Sequence, residues 1–117
     1  MRKRLLTEVE GVVAAPVERV WRALLDDRPA YEMTTELGDH TVAYQGGWWY
    51  RGEWSVTAHP EGARVVLRVY NVADRLGWGV PLANRFFVGF GARTRQTFAE
   101  GLTALGERLG CPSRLLP

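Results

Sequence analysis

The chain has one cysteine, Cys111, so an intrachain disulfide is excluded and a reducing compartment is expected. It has two histidines, His40 and His59, and no Cys/His group at metal-ligand spacing, so no metal and no fixed cofactor are expected. No apolar run approaches the ~20 residues that a membrane span requires. After the basic Arg2-Lys3-Arg4 only Leu5 and Leu6 follow before Thr7, Glu8 and Glu10 interrupt, too little for the apolar core of a signal peptide. The expectation is a cytoplasmic protein with no membrane span. No stripe of Lys and Arg interleaved with stacking aromatics runs along any element. The net charge of +2 owes much to Arg2, Lys3, Arg4, Arg108 and Arg114 near the ends, so a nucleic-acid partner is not expected either. Gly77-Trp78-Gly79 and Gly89-Phe90-Gly91 lack the Lys-Ser/Thr of a phosphate loop.

What is present is ordinary in bulk and uneven in detail. At 117 residues, 46% hydrophobic and 24% charged, the chain has the size and composition of one globular domain spanning 1–117. All five tryptophans fall between Trp21 and Trp78, three of them within Trp48 to Trp54. Such a cluster has to be buried, bound or paired, because exposed it would form a large apolar patch.

Leu5 to Val13 alternates as a strand, with Leu5, Thr7, Val9, Gly11 and Val13 on one side. Pro16 then opens a helix, since a first-turn N–H would be unpaired in any case. Val17, Val20, Trp21, Leu24 and Leu25 form its apolar stripe, and Asp26-Asp27-Arg28-Pro29 ends it. Tyr31, Met33, Thr35 and Leu37 alternate like a strand, with a short helix after Pro29 as the alternative; Gly38-Asp39 marks a turn.

Three strands rich in Val, Trp and Tyr follow, over His40 to Gln45, Trp48 to Ala58 and Ala63 to Ala73. Gly46-Gly47 and His59-Pro60-Glu61-Gly62 join them as hairpins, an antiparallel meander. Pairing Ala58 with Ala63 sets Val56 against Val65, Trp54 against Leu67, Gly52 against Val69 and Tyr50 against Asn71 on one face. The other face pairs Glu53 with Arg68, an opposite-charge match that the register was not chosen to produce. Pro81 opens a further helical stretch carrying Leu82, Phe86 and Phe90, weakened by Gly89 and Gly91. The stripe continues through Thr94, Thr97, Phe98, Gly101, Leu102, Leu105 and Leu109, a long amphipathic helix that Gly110 terminates.

Strand, then Ala15-Pro16-Val17-Glu18-Arg19-Val20-Trp21 running on to Asp26, resembles the opening of the START-like, or SRPBCC, superfamily. The ending, a last strand, a Pro-bearing loop and a long helix, is similar too. The resemblance implies an α+β helix-grip fold, a curved antiparallel sheet of about four to six strands wrapped around the C-terminal helix. It also implies a cavity between them for a lipid, polyketide or other apolar molecule. Relatives generally have six or seven strands; four are firmly placed here and a fifth is doubtful. The shorter sheet implies a smaller or more open cavity, and a homodimer is one way to cover what it leaves exposed.

On this reading the ligand-binding residues are Trp48, Tyr50, Trp54, Leu67, Val69, Asn71, Phe86, Phe90 and Phe98, with Asn71 and the Tyr50 hydroxyl as polar members. A filled aromatic core is the plainer alternative. Trp49, with Tyr44, Tyr70 and Val72, is assigned to the opposite face as a candidate subunit interface. Gly77-Trp78-Gly79-Val80-Pro81 reads either as a lid or as a connection pinned by Trp78. His40 and His59 sit at turn edges and Cys111 follows the last helix, so none is assigned catalysis. Three functions follow: binding of an apolar or aromatic small molecule, a polyketide cyclase or dehydratase that works by positioning, and a non-catalytic dimeric or chaperone-associated interaction protein.

Overall fold

A computed structural model describes residues 4–26, 34–46, 49–72 and 89–117. Expectations for Trp48, Ala73, the 77–81 loop and the helical stretch through Leu82 and Phe86 lie outside them, as do Tyr31 and Met33. In chain order the elements are β1 (Arg4–Val13), α1 (Val17–Asp26), β2 (Thr34–Gly38), β3 (Thr41–Gly46), β4 (Tyr50–His59), β5 (Gly62–Asn71), α2 (Phe90–Leu109) and β6 (Ser113–Leu115). Among the described residues the strands form one antiparallel sheet in the order β2-β3-β4-β5-β1-β6. The fold is α+β, with α1 and α2 packed on one face of that sheet.

The β4–β5 register is the one the loop length predicts, from Ala58 against Ala63 to Tyr50 against Asn71. Pro60 and Glu61 fill a two-residue loop closed by the His59–Gly62 pair. Gly62 has φ 142, and a Cβ there would overlap the Val13 carbonyl oxygen and lie 2.7 Å from the Ala15 nitrogen. Glycine is required both by the backbone angle and by the chain crossing against it.

Alternation decides what each face holds. The inner face carries Val9, Val13, Val56, Ala63, Val65, Leu67 and Val69, which join Val20 and Ala23 of α1 and Phe98, Leu102 and Leu105 of α2 in one buried core. Gly11 sits where α2 comes nearest β1: a Cβ would overlap Leu102 and lie 2.9 Å from the Arg114 carbonyl oxygen. α2 ends as predicted at Gly110, with φ 68. The Gly110 N–H donates to the Glu107 carbonyl and the Cys111 N–H to that of Gly106, the paired bonds that close a helix through a left-handed residue. No helix among the described residues is long and apolar enough to cross a membrane.

Several expectations need correction. β1 is irregular between Leu5 and Thr7, so Leu5 lies opposite Tyr70 on the outer face and is 50% exposed, while Leu6 packs against the core. An extra residue shifts every side chain beyond it to the other face. Along α2, Thr97 and Gly101 are exposed. Phe98, Leu102, Leu105 and Leu109 have the larger apolar area to bury and set the helix's rotation. Among the described residues the sheet has six strands, the upper end of the expected four to six. β2 is formed, and β6, which was not anticipated, pairs with β1 through Gly11–Leu115, Val12–Arg114 and Val13–Ser113.

Candidate functional site

The aromatic residues of β4 meet those of α2 on the inner face. Trp54, opposite Leu67 and Val42, stacks on Phe98 with centroids 5.6 Å apart and an interplanar angle of 25°. Trp49 makes edge-to-face contacts with Tyr50 at 5.5 Å and with Phe90 at 5.7 Å. Tyr50 lies along its own strand over Gly52: a Cβ on Gly52 would fall 2.6 Å from the Tyr50 hydroxyl oxygen. A bare glycine thus gives the phenol ring a flat bed on the sheet.

Of the predicted ligand-binding residues, the inner face gathers Tyr50, Trp54, Leu67, Val69 and Asn71 from the sheet and Phe90 and Phe98 from α2. They divide by burial. Leu67, Val69 and Phe98 are closed core, whereas Tyr50, Trp54, Asn71 and Phe90 are only half-buried. Asn71 pairs with Tyr50 on one side and Arg4 on the other, at the end of β5. Trp48 and Phe86 lie outside the described residues.

Trp49 and Tyr44 do not form the expected outer patch. Gly46 pairs with Tyr50, which sets Tyr44 opposite Gly52 on the inner face, where it is buried. Trp49 packs against the core. The connection from β3 to β4 is longer than Gly46-Gly47 alone, so β3 slips by an odd number of residues and its faces invert, while Trp49 precedes β4 and does not follow its alternation.

The outer face is instead a lattice of ion pairs roofing small apolar groups, with Val12, Ala43 and Val66 buried. Arg68 Nε donates to Glu8 Oε2 at 2.6 Å and Arg64 Nε to Glu10 Oε2 at 2.7 Å. Glu53 stands opposite Arg68 in register, but its carboxylate takes a 2.7 Å hydrogen bond from Arg51 Nε, which replaces the predicted Glu53–Arg68 pair. Arg51 is the feature that sequence reasoning missed. It is 8% exposed, donates to Glu36 Oε2 at 2.7 Å and to Gln45 Oε1 at 3.1 Å, and so ties β2, β3 and β4 together. Its hydrogen bond to Glu36 chiefly, then that to Glu53, holds its pKa above the usual arginine value. Only the β2–β3–β4 registers together reveal that Glu36, Gln45, Arg51 and Glu53 share a face. An open cleft of about 360 Å³ lies beside them, bordered by Glu36, Thr41, Arg51, Glu53, Ser55 and Arg68.

Among the described residues no group of three or more His, Cys, Asp or Glu could hold a metal ion. Cys111 is half-buried at the core's edge, its Sγ 3.3 Å from the Leu109 carbonyl oxygen. No protein-family model matches the chain, and no curated protein or solved structure does.

Proposed function

We propose that the chain adopts the helix-grip arrangement of START-like proteins and binds an apolar or aromatic small molecule between the inner sheet face and α2. One observation carries the reading. The valines of the inner face and Leu67 are sealed, whereas Trp49, Tyr50 and Phe90, in mutual contact at the start of β4, and Trp54, stacked on Phe98 further along it, stay half-buried. Aromatic groups in contact with one another but incompletely covered offer flat apolar walls, and the nearby Tyr50 and Asn71 offer polar groups for orientation. Apart from Arg4 at the end of β1, the charged groups of the sheet's described strands lie on the outer face, so nothing favours the cyclase or dehydratase reading over simple binding. The interaction-protein reading loses its apolar outer patch with the reassignment of Tyr44 and Trp49.

Native mass spectrometry of protein purified from its own host tests the proposal. The expected result is a protein species carrying one non-covalent adduct of small-molecule mass, extractable into organic solvent and lost in Trp54→Ala. Half-buried and stacked on Phe98, Trp54 should cost about 2 kcal/mol on truncation, below the ~3–5 of a fully buried tryptophan, so the variant remains folded. A bare protein mass, with Trp54→Ala as costly as a closed-core truncation, would overturn the reading in favour of a filled interior.

A further inference from the structure

His40 occupies the second position of the two-residue turn between β2 and β3, closed by the Gly38–Thr41 pair. It has φ 54, and among the described residues no other non-glycine has a positive φ. Left-handed backbone is uncommon for a side chain of this size and persists where the surroundings impose it. Here they act from two sides. The His40 carbonyl accepts a 3.0 Å hydrogen bond from the Val56 N–H of β4. The ring reaches across to α1, with Nε2 2.5 Å from Glu18 Oε1, while Nδ1 lies 2.9 Å from Asp39 Oδ1. The ring also meets Trp21 of α1 edge-to-face at 5.9 Å.

Each imidazole nitrogen therefore faces a carboxylate. A neutral histidine carries one N–H and can donate to one of them, leaving its lone pair against the other oxygen; the imidazolium donates to both. We infer that His40 is a proton-operated latch: protonated, it fastens α1 to the β2–β3 turn through a charged bond to Glu18 with Asp39 held at its other nitrogen, and on losing a proton it must give up one carboxylate and the charge on the other bond, which slackens the tie to α1 while the turn stays held by β4. This rests on side chains other than those assigned to the proposed ligand and does not depend on that reading.

Among the described residues, the charged or titratable groups facing the ring are Glu18 and Asp39. Glu18 comes from α1 and Asp39 from the turn, while β4 offers only the Val56 main chain. Both carboxylates favour the charged ring, Glu18 most strongly through its hydrogen bond, and they hold its pKa above the ordinary 6.5. The element set free matters because α1 supplies the buried Val20 and Ala23 and the half-buried Trp21 to the inner-face core. An unlatched α1 loosens the cover of that face.

The test compares the full chain with Glu18→Gln and His40→Asn. Asparagine tolerates left-handed backbone, so His40→Asn keeps the turn and removes the proton. Nitrogen-detected NMR should show a His40 titration midpoint above 6.5, with two ring N–H groups below that midpoint, and the midpoint should move down in Glu18→Gln. Hydrogen-exchange protection factors for α1, which cancel the intrinsic pH effect, should fall in the parent protein as His40 deprotonates. They should be low and flat with pH in both variants, while β4 and β5 stay protected throughout. A His40 midpoint at or below 6.5, or α1 protection that ignores both the titration and Glu18→Gln, would overturn the latch.

Discussion

At the residue scale, two glycines show how much one missing methyl group decides. Gly62 is bounded by backbone atoms that have nowhere to go, the Val13 oxygen and the Ala15 nitrogen, and it has a positive φ. Gly11 meets first the end of a leucine side chain and only then the Arg114 carbonyl. Gly62→Ala should therefore destabilise by about 3 kcal/mol or more and Gly11→Ala by about 1–3 kcal/mol, measured by urea unfolding. Combining Gly11→Ala with Leu102→Ala should cost less than the sum of the two single changes, because the added methyl group fills part of the space the leucine leaves. Additive costs would show that Leu102 does not limit the approach of α2 to β1. Neither glycine is conspicuous in the sequence. Gly62 was legible as a hairpin residue, and the pairing from Ala58–Ala63 to Tyr50–Asn71 followed from it. Where the connection is longer than its glycines suggest, at Gly46-Gly47, Tyr44 falls on the face opposite to the one expected, since a slip by an odd number of residues inverts a strand, while Trp49 lies in the turn before β4 and escapes its alternation.

Among the elements, β6 was the least legible and is among the most useful. Three residues after a proline carry no periodicity, and Arg114 reads as a solvated end. In place, β6 covers the free edge of β1, Leu115 joins the core, the Leu116 N–H donates to the Glu10 carbonyl at 2.8 Å, and Arg114 bonds Glu61 on the β4–β5 hairpin. Gly106 permits the return: a Cβ there would lie 2.8 Å from both the Cys111 carbonyl and the Ser113 hydroxyl oxygen. Removing residues 113–117 should lower the unfolding midpoint and raise the self-association of the chain in sedimentation, because β1 would then present an unpaired edge. An unchanged melt would mean that β6 is an ornament on a complete sheet. The long helix was legible because large apolar residues recur along it from Phe90 to Leu109. Its Thr97 and Gly101 were misassigned because small residues fit a stripe without having much to bury.

For the whole molecule, the balance of ion pairs predicts where stability peaks. Arg114, mainly through its hydrogen bond, holds the Glu61 carboxylate below 4.5, so this contribution is present above that value and lost as pH falls through the lowered pKa. His40 behaves in the opposite sense. Its raised pKa gives a contribution that is complete below 6.5 and disappears as pH rises through the folded-state value. The two coexist between 4.5 and 6.5. Thermal melts should therefore show highest stability in mildly acidic buffer, well below the isoelectric point near 9.0. His40→Asn should flatten the alkaline side and Glu61→Gln the acid side; a maximum near pH 9 would refute the assignment.

The position of β1 has a kinetic consequence. β2 to β5 are neighbours in sequence as in space and can zip together hairpin by hairpin, but β1 must find β5 across most of the chain, Arg4 coming to rest beside Asn71. Loops of that span close slowly, and the contacts they deliver arrive after the local ones. Refolding should accordingly show tryptophan signals from the meander settling before those of Trp21, whose helix follows directly on β1. Weakening β1 through Val9→Ala should accelerate unfolding far more than it retards refolding.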